Sequence, residues 1–252
     1  MATKKKLIHF KKGENYDIQK ANGNILDSSI CFIQDRKTII THGTEYKTVN
    51  WYVLELYEWV DLGLPSGLKW ATTNIGAEKP EDFGLYFAWG EQGYSGITDT
   101  KKFNWSDYKL CGGSDTTLTK YNNNSSYGIV DNKLVLEQVD DAAYTSDNTC
   151  RMPTKANLEE LTANTTNTWE TLNGINGRRF TSKTNGNSIF VPTAGFCYSG
   201  SVYNVSYHGI LWSGSLDESN SRKAYCLSSS HSDGVVVGSS NRFNGYSVRA
   251  VK

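Results

Sequence analysis

The chain reads as a loop-rich, mostly β domain with one strong helix, and three observations predict this. Tyr, Trp and Phe make up 12 % of the 252 residues alongside 23 glycines. With a mean hydropathy of −0.51, that is a soluble composition short of long helical runs. Between residues 173 and 192, Asn-Gly signals punctuate short β-rich runs, the pattern of a strand–turn–strand meander. The clearest helical signal is Lys155-Ala156-Asn157-Leu158-Glu159-Glu160-Leu161, with Thr154 as N-cap and Leu158 and Leu161 on one face. A chain of this length buries a sizeable core, as one domain or as a domain with a small appendage.

Residues 1 to about 50 differ from the remainder. The opening MATKKKLIHFKKGENYD is basic with no apolar stretch behind it, so it does not read as a signal peptide. Lys4, Lys5 and Lys6 read as a solvated tail rather than a nucleic-acid patch. Ile30–Ile33 and Thr38–Thr41 flank the polar Gln34–Lys37, which predicts a hairpin. A hairpin is too small to stand alone. It is expected to be an attachment or oligomerisation segment, or a strand pair docked on the main domain.

From Trp51 the aromatics thicken. Trp51–Tyr57 has strand character, and Pro65-Ser66-Gly67 makes a turn between two apolar stretches. Pro80-Glu81-Asp82 is a favourable first turn, which predicts a helix near 80–90 burying Phe83, Phe87 and Trp89. Residues 91–150 form a long Tyr/Asn/Gly-rich excursion; so long an irregular stretch folds over the core or carries function. Asp140-Asp141 lacks further acids at ligand spacing, so capping is favoured over calcium. Asn173-Gly174, Asn176-Gly177 and Asn185-Gly186 are turn signals, with strands at Arg179–Ser182 and Ser188–Pro192.

Composition and motifs exclude several functions. Lys plus Arg and Asp plus Glu both number 26, so no global field draws nucleic acid or an anionic membrane. Five cysteines without a CxxC pair indicate neither a disulfide framework nor a zinc site. His9, His42, His208 and His231 lack ligand spacing. GxSxG, a Walker loop and a dinucleotide fingerprint are absent, and no serine has a recognisable base nearby in sequence. The reading is a non-enzyme with no cofactor and no metal. No stretch is long and apolar enough to insert into a bilayer as a helix.

The run from Phe196 to Val251 is dominated by Ser, Gly, Tyr and Asn, with Trp212, Leu227, Val235, Val237 and Val248 as anchors. Tyr gives contact area at little rotamer cost, while Ser, Gly and Asn give adaptable hydrogen bonding. This suits a recognition surface; a Ser/Gly-rich loop region is the plainer alternative.

Five ordered blocks carry a resemblance over residues 51–252: VDLGLPSGLKWATTNIGA (60–77), PEDFGLYFAWGE (80–91), RMPT (151–154), NGRRFTSKTNGNSIFVPTAGF (176–196) and the ending LWSGS…AYCL…NRFNGYSVRAV. They resemble bacterial and phage domains with a C-type lectin-like fold of the formylglycine-generating-enzyme subtype. The resemblance implies an α+β unit, two helices (near 80–90 and 155–163) with small antiparallel sheets and long loops. The terminal run is similar to variable proteins of diversity-generating retroelements, in which adenine-directed rewriting turns Asn codons into many residues but never Lys, Glu, Gln, Met or Trp. From the excluded set the run contains only Trp212, Glu218 and Lys223.

The resemblance implies a fixed frame of Gly195, Gly209, Trp212, Ser213, Ala224, Leu227, Arg242, Gly245, Val248 and Arg249. It implies varied, ligand-facing positions at Tyr207, His208, Ile210, Gly214, Cys226, Ser228, Ser230, His231, Ser232, Asp233, Gly238, Ser239, Ser240, Phe243, Asn244 and Tyr246, within a variable region of about 196–249. The close cysteine pair of a copper oxidase and the Glu-Pro-Asn and Trp-Asn-Asp motifs of calcium lectins are missing, so neither chemistry is carried over. The expected function is receptor binding by a phage tail component, with a protein or glycan on a host cell as partner. Residues 1–50 resemble phage structural segments and would tether it to the virion. A homotrimer would add avidity. The alternative is a bacterial surface or structural binding domain of the same fold without diversification, located in the bacterial cytoplasm or at the cell surface.

Overall fold

The structure, a computed structural model, describes the backbone of Ile30–Phe32 and Ile39–Thr41, and residues 57–91, 93 and 101–252. The chain divides into two units, Met1–Leu56 and Tyr57–Lys252. In the first, β1 (Ile30–Phe32) pairs antiparallel with β2 (Ile39–Thr41), Cys31 opposite Ile40. The two runs expected to be strands are paired; the turn expected between them lies outside the described residues. Of the strand expected at Trp51–Tyr57, residues 51–56 lie outside the described residues and Tyr57 is not in a strand.

The second unit is α+β, with two helices and several small antiparallel sheets. β3 (Trp59–Asp61) pairs with β4 (Lys69–Ala71), and β8 (Phe196–Tyr198) with β9 (Ser201–Tyr203). β5 (Thr165–Leu172), β6 (Ile175–Ser182) and β7 (Ser188–Pro192) form one three-stranded sheet; β10 (His208–Leu216), β11 (Lys223–Ser230) and β12 (Gly234–Asn241) form another. No helix among the described residues is long and apolar enough to cross a membrane.

α2 (Lys155–Asn164) forms where its sequence directs. Thr154 and Asn157 cap each other's main chain reciprocally, and Leu158 and Leu161 are fully buried. The helix stops at the β-branched Thr165, whose hydroxyl donates back to the Leu161 carbonyl at 2.6 Å. α1 (Ala142–Ser146) starts on Asp141, whose carboxylate accepts from the main chain of Ala143, Tyr144 and Met152. Capping is thus what Asp141 does. Asp140 instead pairs with Lys120 and accepts from the Tyr121 hydroxyl.

Two local expectations are corrected. Residues 80–90 contain no helix. Gly84 is left-handed at φ +72°, and a Cβ there would lie 2.4 Å from the Ile75 carbonyl oxygen. The segment beyond it runs extended, with Leu85 bonded to Ile75 and Phe87 bridged to Tyr246. Packing of this aromatic run against the chain terminus overrides the helix signal, and the second helix is α1. Phe87 and Trp89 are buried all the same. Asn176-Gly177 is not a turn but lies within β6. Gly177 is there because Phe190 packs against its α-carbon, where a Cβ would meet the ring at 2.3 Å.

The sheet β10–β11–β12 divides the core. Leu211, Leu227, Val235 and Val237 point to one face and pack with Leu158, Leu161 and Phe180. Ile210, Trp212, Ala224 and Cys226 point to the other and pack with Phe87, Tyr246 and Val248. This is the period-2 alternation of a strand buried on both sides.

Candidate functional site

The terminal run is pinned before it displays anything. The Trp212 indole donates to the Phe87 carbonyl at 2.8 Å, and its ring lies 4.4 Å from that of Tyr246. Arg242 is fully buried and donates to the Tyr108 hydroxyl and to the carbonyls of Tyr121, Ser221 and Lys120. Its guanidinium also lies 4.9 Å from the centre of the Trp89 ring. Arg249 does the same work at the other end, donating to Asn74 Oδ1 and to the carbonyls of Ala71, Thr72 and Phe190. Burial pushes its pKa down to about 9, which leaves it charged at neutral pH. A planar fork of donors suits this multi-carbonyl role, which a lysine could not fill. All ten residues assigned to the frame are buried.

The register across the sheet collects most of the assigned variable positions on one face. His208 lies opposite Ser230 and that residue opposite Gly234; Ile210 pairs with Ser228, and Ser228 with Val236. Trp212 pairs with Cys226, Cys226 with Gly238, and Ala224 with Ser240. His208, Ile210, Cys226, Ser228, Ser230, Gly238 and Ser240 therefore share the face that Trp212 anchors. Burial on this face falls from β10, where Trp212 is inaccessible, to Val236 on β12, which is 54 % exposed. Ser228, Gly238 and Ser240 lie at the open side, with Asn244 donating to the Ser240 hydroxyl at 3.0 Å. Among the described residues, no strand pairs with the outer edge of β12.

At the end of the sheet this face runs into a cleft of about 390 Å³. Tyr207 and His208 line it from the turn before β10, with Ser206 beside them; Ser230, His231 and Ser232 line it from the β11–β12 turn. The third wall is Trp169 of β5 and Asn176 of β6. The turn before β10 is held in shape by left-handed Asn204 and Ser206 and by bonds from Tyr207 and His208 N–H to the Asn204 carbonyl. Trp169 has the Arg178 guanidinium 5.8 Å from its ring centre and the His231 ring edge-on at 5.2 Å. Arg178 is itself held by Asn167 and the Ser230 carbonyl. Asp233 takes hydrogen bonds from the Ser230 and Ser232 hydroxyls, which hold its carboxyl below the usual range.

Six of the sixteen assigned variable positions are corrected, because they are buried. Phe243 is 6 % exposed and packs edge-on against Trp105 at 4.9 Å. Tyr246 is also 6 % exposed and stacks over Trp212, with its hydroxyl 2.6 Å from that of Ser240. Ile210 and Cys226 belong to the same core cluster, and burial pushes the Cys226 thiol up to about 12. Gly214 lies within the irregularity in the β10–β11 register between Trp212 and Leu216, and its main chain bonds to Pro153 and Leu136. Ser230 is buried but opens its neighbours to the cleft. Ser239 is part-buried on the opposite face, donating to Asp217 Oδ2 at 2.6 Å. The other assigned positions, Tyr207, His208, Ser228, His231, Ser232, Asp233, Gly238, Ser240 and Asn244, are all accessible on the shared face or at its cleft end.

The sequence reading missed Trp169, Asn176 and Ser206, which lie outside the assigned set. Nothing in the linear chain signals that β5 and β6 flank the terminal run. It also missed the exposed Tyr198 and Tyr203 of the β8–β9 hairpin and Val236. The two tyrosines do carry a signal, since they flank a Ser-Gly turn inside the Tyr/Ser/Gly/Asn-rich stretch. Among the described residues no group of three or more His, Cys, Asp or Glu side chains is placed to hold a metal ion. Compared with protein families, curated proteins and solved structures, the chain matches none.

Proposed function

We propose that this chain is a receptor-binding protein of C-type lectin-like fold, formylglycine-generating-enzyme subtype, whose terminal face is a diversified binding surface on a phage tail. One observation carries the reading. Every residue of the assigned frame is buried, while the accessible assigned positions, Ser239 excepted, gather on one sheet face and its terminal cleft. A surface that changes freely must leave its backbone anchored by something else, and Trp212, Arg242 and Arg249 supply that anchorage. The paratope in this reading is Tyr207, His208, Ser228, His231, Ser232, Asp233, Gly238, Ser240 and Asn244, joined by Val236. The partner is a protein or glycan on the host surface, and the first unit, Met1–Leu56, supplies the attachment to the particle.

The test is a display library randomised at the accessible positions, with the frame untouched. It should keep its melting temperature in most clones and yield binders to an arbitrary folded target such as lysozyme. Widespread unfolding, or no binder from a well-folded library, rejects the paratope. The nucleotide sequence beyond the coding region tests the diversification: an Asn-codon-rich near-copy of the terminal run beside a reverse-transcriptase gene is expected. Its absence would leave a fixed binding domain.

A further inference from the structure

The cleft at the end of the sheet differs in chemistry from the strip beside it. The strip is floored by Ser228, Gly238 and Ser240 with the exposed Val236 beside them, whereas the cleft sets two aromatic rings, Trp169 and Tyr207, among an amide, hydroxyls and imidazoles. Among the described residues no Lys, Arg, Asp or Glu lines it. The nearest formal charges point to neutral protein partners: Arg178 donates through its terminal nitrogens to Asn167 and the Ser230 carbonyl, while its buried Nε has no hydrogen-bond partner, and Asp233 accepts from the Ser230 and Ser232 hydroxyls. A wall without Lys, Arg, Asp or Glu side chains offers a phosphate, carboxylate or ammonium no permanent counter-charge on burial, leaving the His208 and His231 imidazoles as the groups that could carry one. An acidic or basic ligand is therefore disfavoured. A ligand with a C–H face for an aromatic ring and several hydroxyls for neutral donors and acceptors fits each wall.

The cleft is also preformed. Trp169 is braced by the guanidinium of Arg178 and the edge of His231. Asn176 Nδ2 donates to the Ser206 carbonyl at 3.4 Å, tying the β6 wall to the β10 turn. Rigid walls lower the ordering cost of capturing a small ligand. Its volume of about 390 Å³ lies in the small-molecule range, and suits one sugar ring with part of a second.

From this geometry we infer that the cleft is a subsite for a neutral sugar ring, bound without a metal ion through Trp169, Tyr207 and the Asn, Ser and His side chains around them. The inference rests on the reading of the terminal face as a receptor-binding surface and names one component of that receptor. The sheet strip then contacts whatever carries the sugar. Because Trp169 and Asn176 lie outside the terminal run, the sugar preference stays partly fixed while the strip changes.

Saturation-transfer NMR on the full chain tests it, using the methyl glycosides of glucose, galactose, mannose and N-acetylglucosamine as probes. Transfer to the ring C–H protons of at least one is expected, unchanged by EDTA and with affinity near the millimolar level. Tyr207→Ala should weaken it at least tenfold. The Tyr207 ring is 71 % exposed, so this variant keeps its fold, and Trp169→Ala, checked by circular dichroism, should agree. Silence from all four glycosides overturns the inference, as does transfer that survives both substitutions. Stronger binding of sialyl or sulfated sugars than of the neutral glycosides overturns the uncharged assignment. If the glycosides are silent while the randomised library still yields binders, the sugar subsite fails and the receptor-binding reading stands.

Discussion

Replacing Tyr246 separates a structural role from the proposed recognition role. Its ring is 6 % exposed, lies 4.4 Å from Trp212 and packs edge-on against Phe196. Its hydroxyl joins Ser240 and Asn244 at 2.6 and 3.1 Å. Tyr246→Phe removes only the hydroxyl, and Ser240 and Asn244 are accessible enough for water to replace it. The expected cost is about 1 kcal/mol. Tyr246→Ala adds the loss of the ring and a cavity against Trp212, together about 3–5 kcal/mol. For a domain of this size each kcal/mol moves Tm by about 2–4 °C, so the alanine variant should melt roughly 6–20 °C lower. Val236→Ser on the same face provides the contrast. Val236 is 54 % exposed, and the change should cost no more than about 1 kcal/mol. Scanning calorimetry with urea titrations at unchanged m-value reads both. If Tyr246→Ala melts within 2 °C (about 1 kcal/mol) of the parent, or Val236→Ser costs more than Tyr246→Ala, the division into anchor and face is wrong.

Other outcomes follow from the same coordinates. The thiols of Cys197 and Cys226 are both pushed up to about 12 by burial, so iodoacetamide at pH 8 should label neither until guanidinium unfolds the chain, as peptide mass spectrometry would show. Burial opposes the charge on Asp131, but the N–H groups of Asn122, Tyr121 and Lys133 outweigh it and hold the carboxyl below its usual 3.8. A depressed folded pKa stabilises above the unfolded value and is lost as pH falls through the folded one. Tm should therefore be insensitive to Asp131 titration above about pH 5 and drop below about pH 4, with a shallower acid limb in Asp131→Asn. Gly177→Ala should cost more than a surface change, because the new methyl meets Phe190 at 2.3 Å and the Val191 carbonyl oxygen at 2.6 Å. A Gly177→Ala protein with unaltered Tm would show that β6 and β7 pack more loosely than described.

How much of this was legible beforehand depends on how local each cause is. The Thr154–Asn157 cap, the Asn173-Gly174 turn and the Asp141 cap are settled by neighbours within a few residues, and each forms as the sequence suggests. The helix expected near 80–90 failed because its determinants are remote: Gly84 packs against Ile75, and Phe87 bridges to Tyr246. The same distinction runs through the site. Alternation within β10, β11 and β12 puts every second residue of each strand on one face, so once the strands are paired seven assigned positions share a face. Alternation says nothing about depth. Whether Ile210 or Val236 is buried depends on which strand ends at the edge and on where the Tyr246 ring comes to rest, and both are set by pairings between distant segments.

That difference explains why the two aromatics nearest the chain terminus were assigned to the wrong side. Phe243 and Tyr246 sit in a stretch whose Asn, Gly and Ser suggest a loop, and in a loop large rings commonly serve as contacts. Here they close the core instead. Arg242 draws the backbone inward onto Tyr108, Tyr121 and Ser221, and Gly245 has Cys197 and Phe103 atoms at 2.6–2.7 Å from where a Cβ would stand. With the backbone that close, side chains on both sides of Gly245 have nowhere to go but into the protein. A buried arginine and a glycine with no room for a Cβ thus convert a paratope-like sequence into a plug. The accessible positions of the run are left on β12 and around the cleft, where the side chains are small or exposed and where, among the described residues, β11 is the one strand paired with β12.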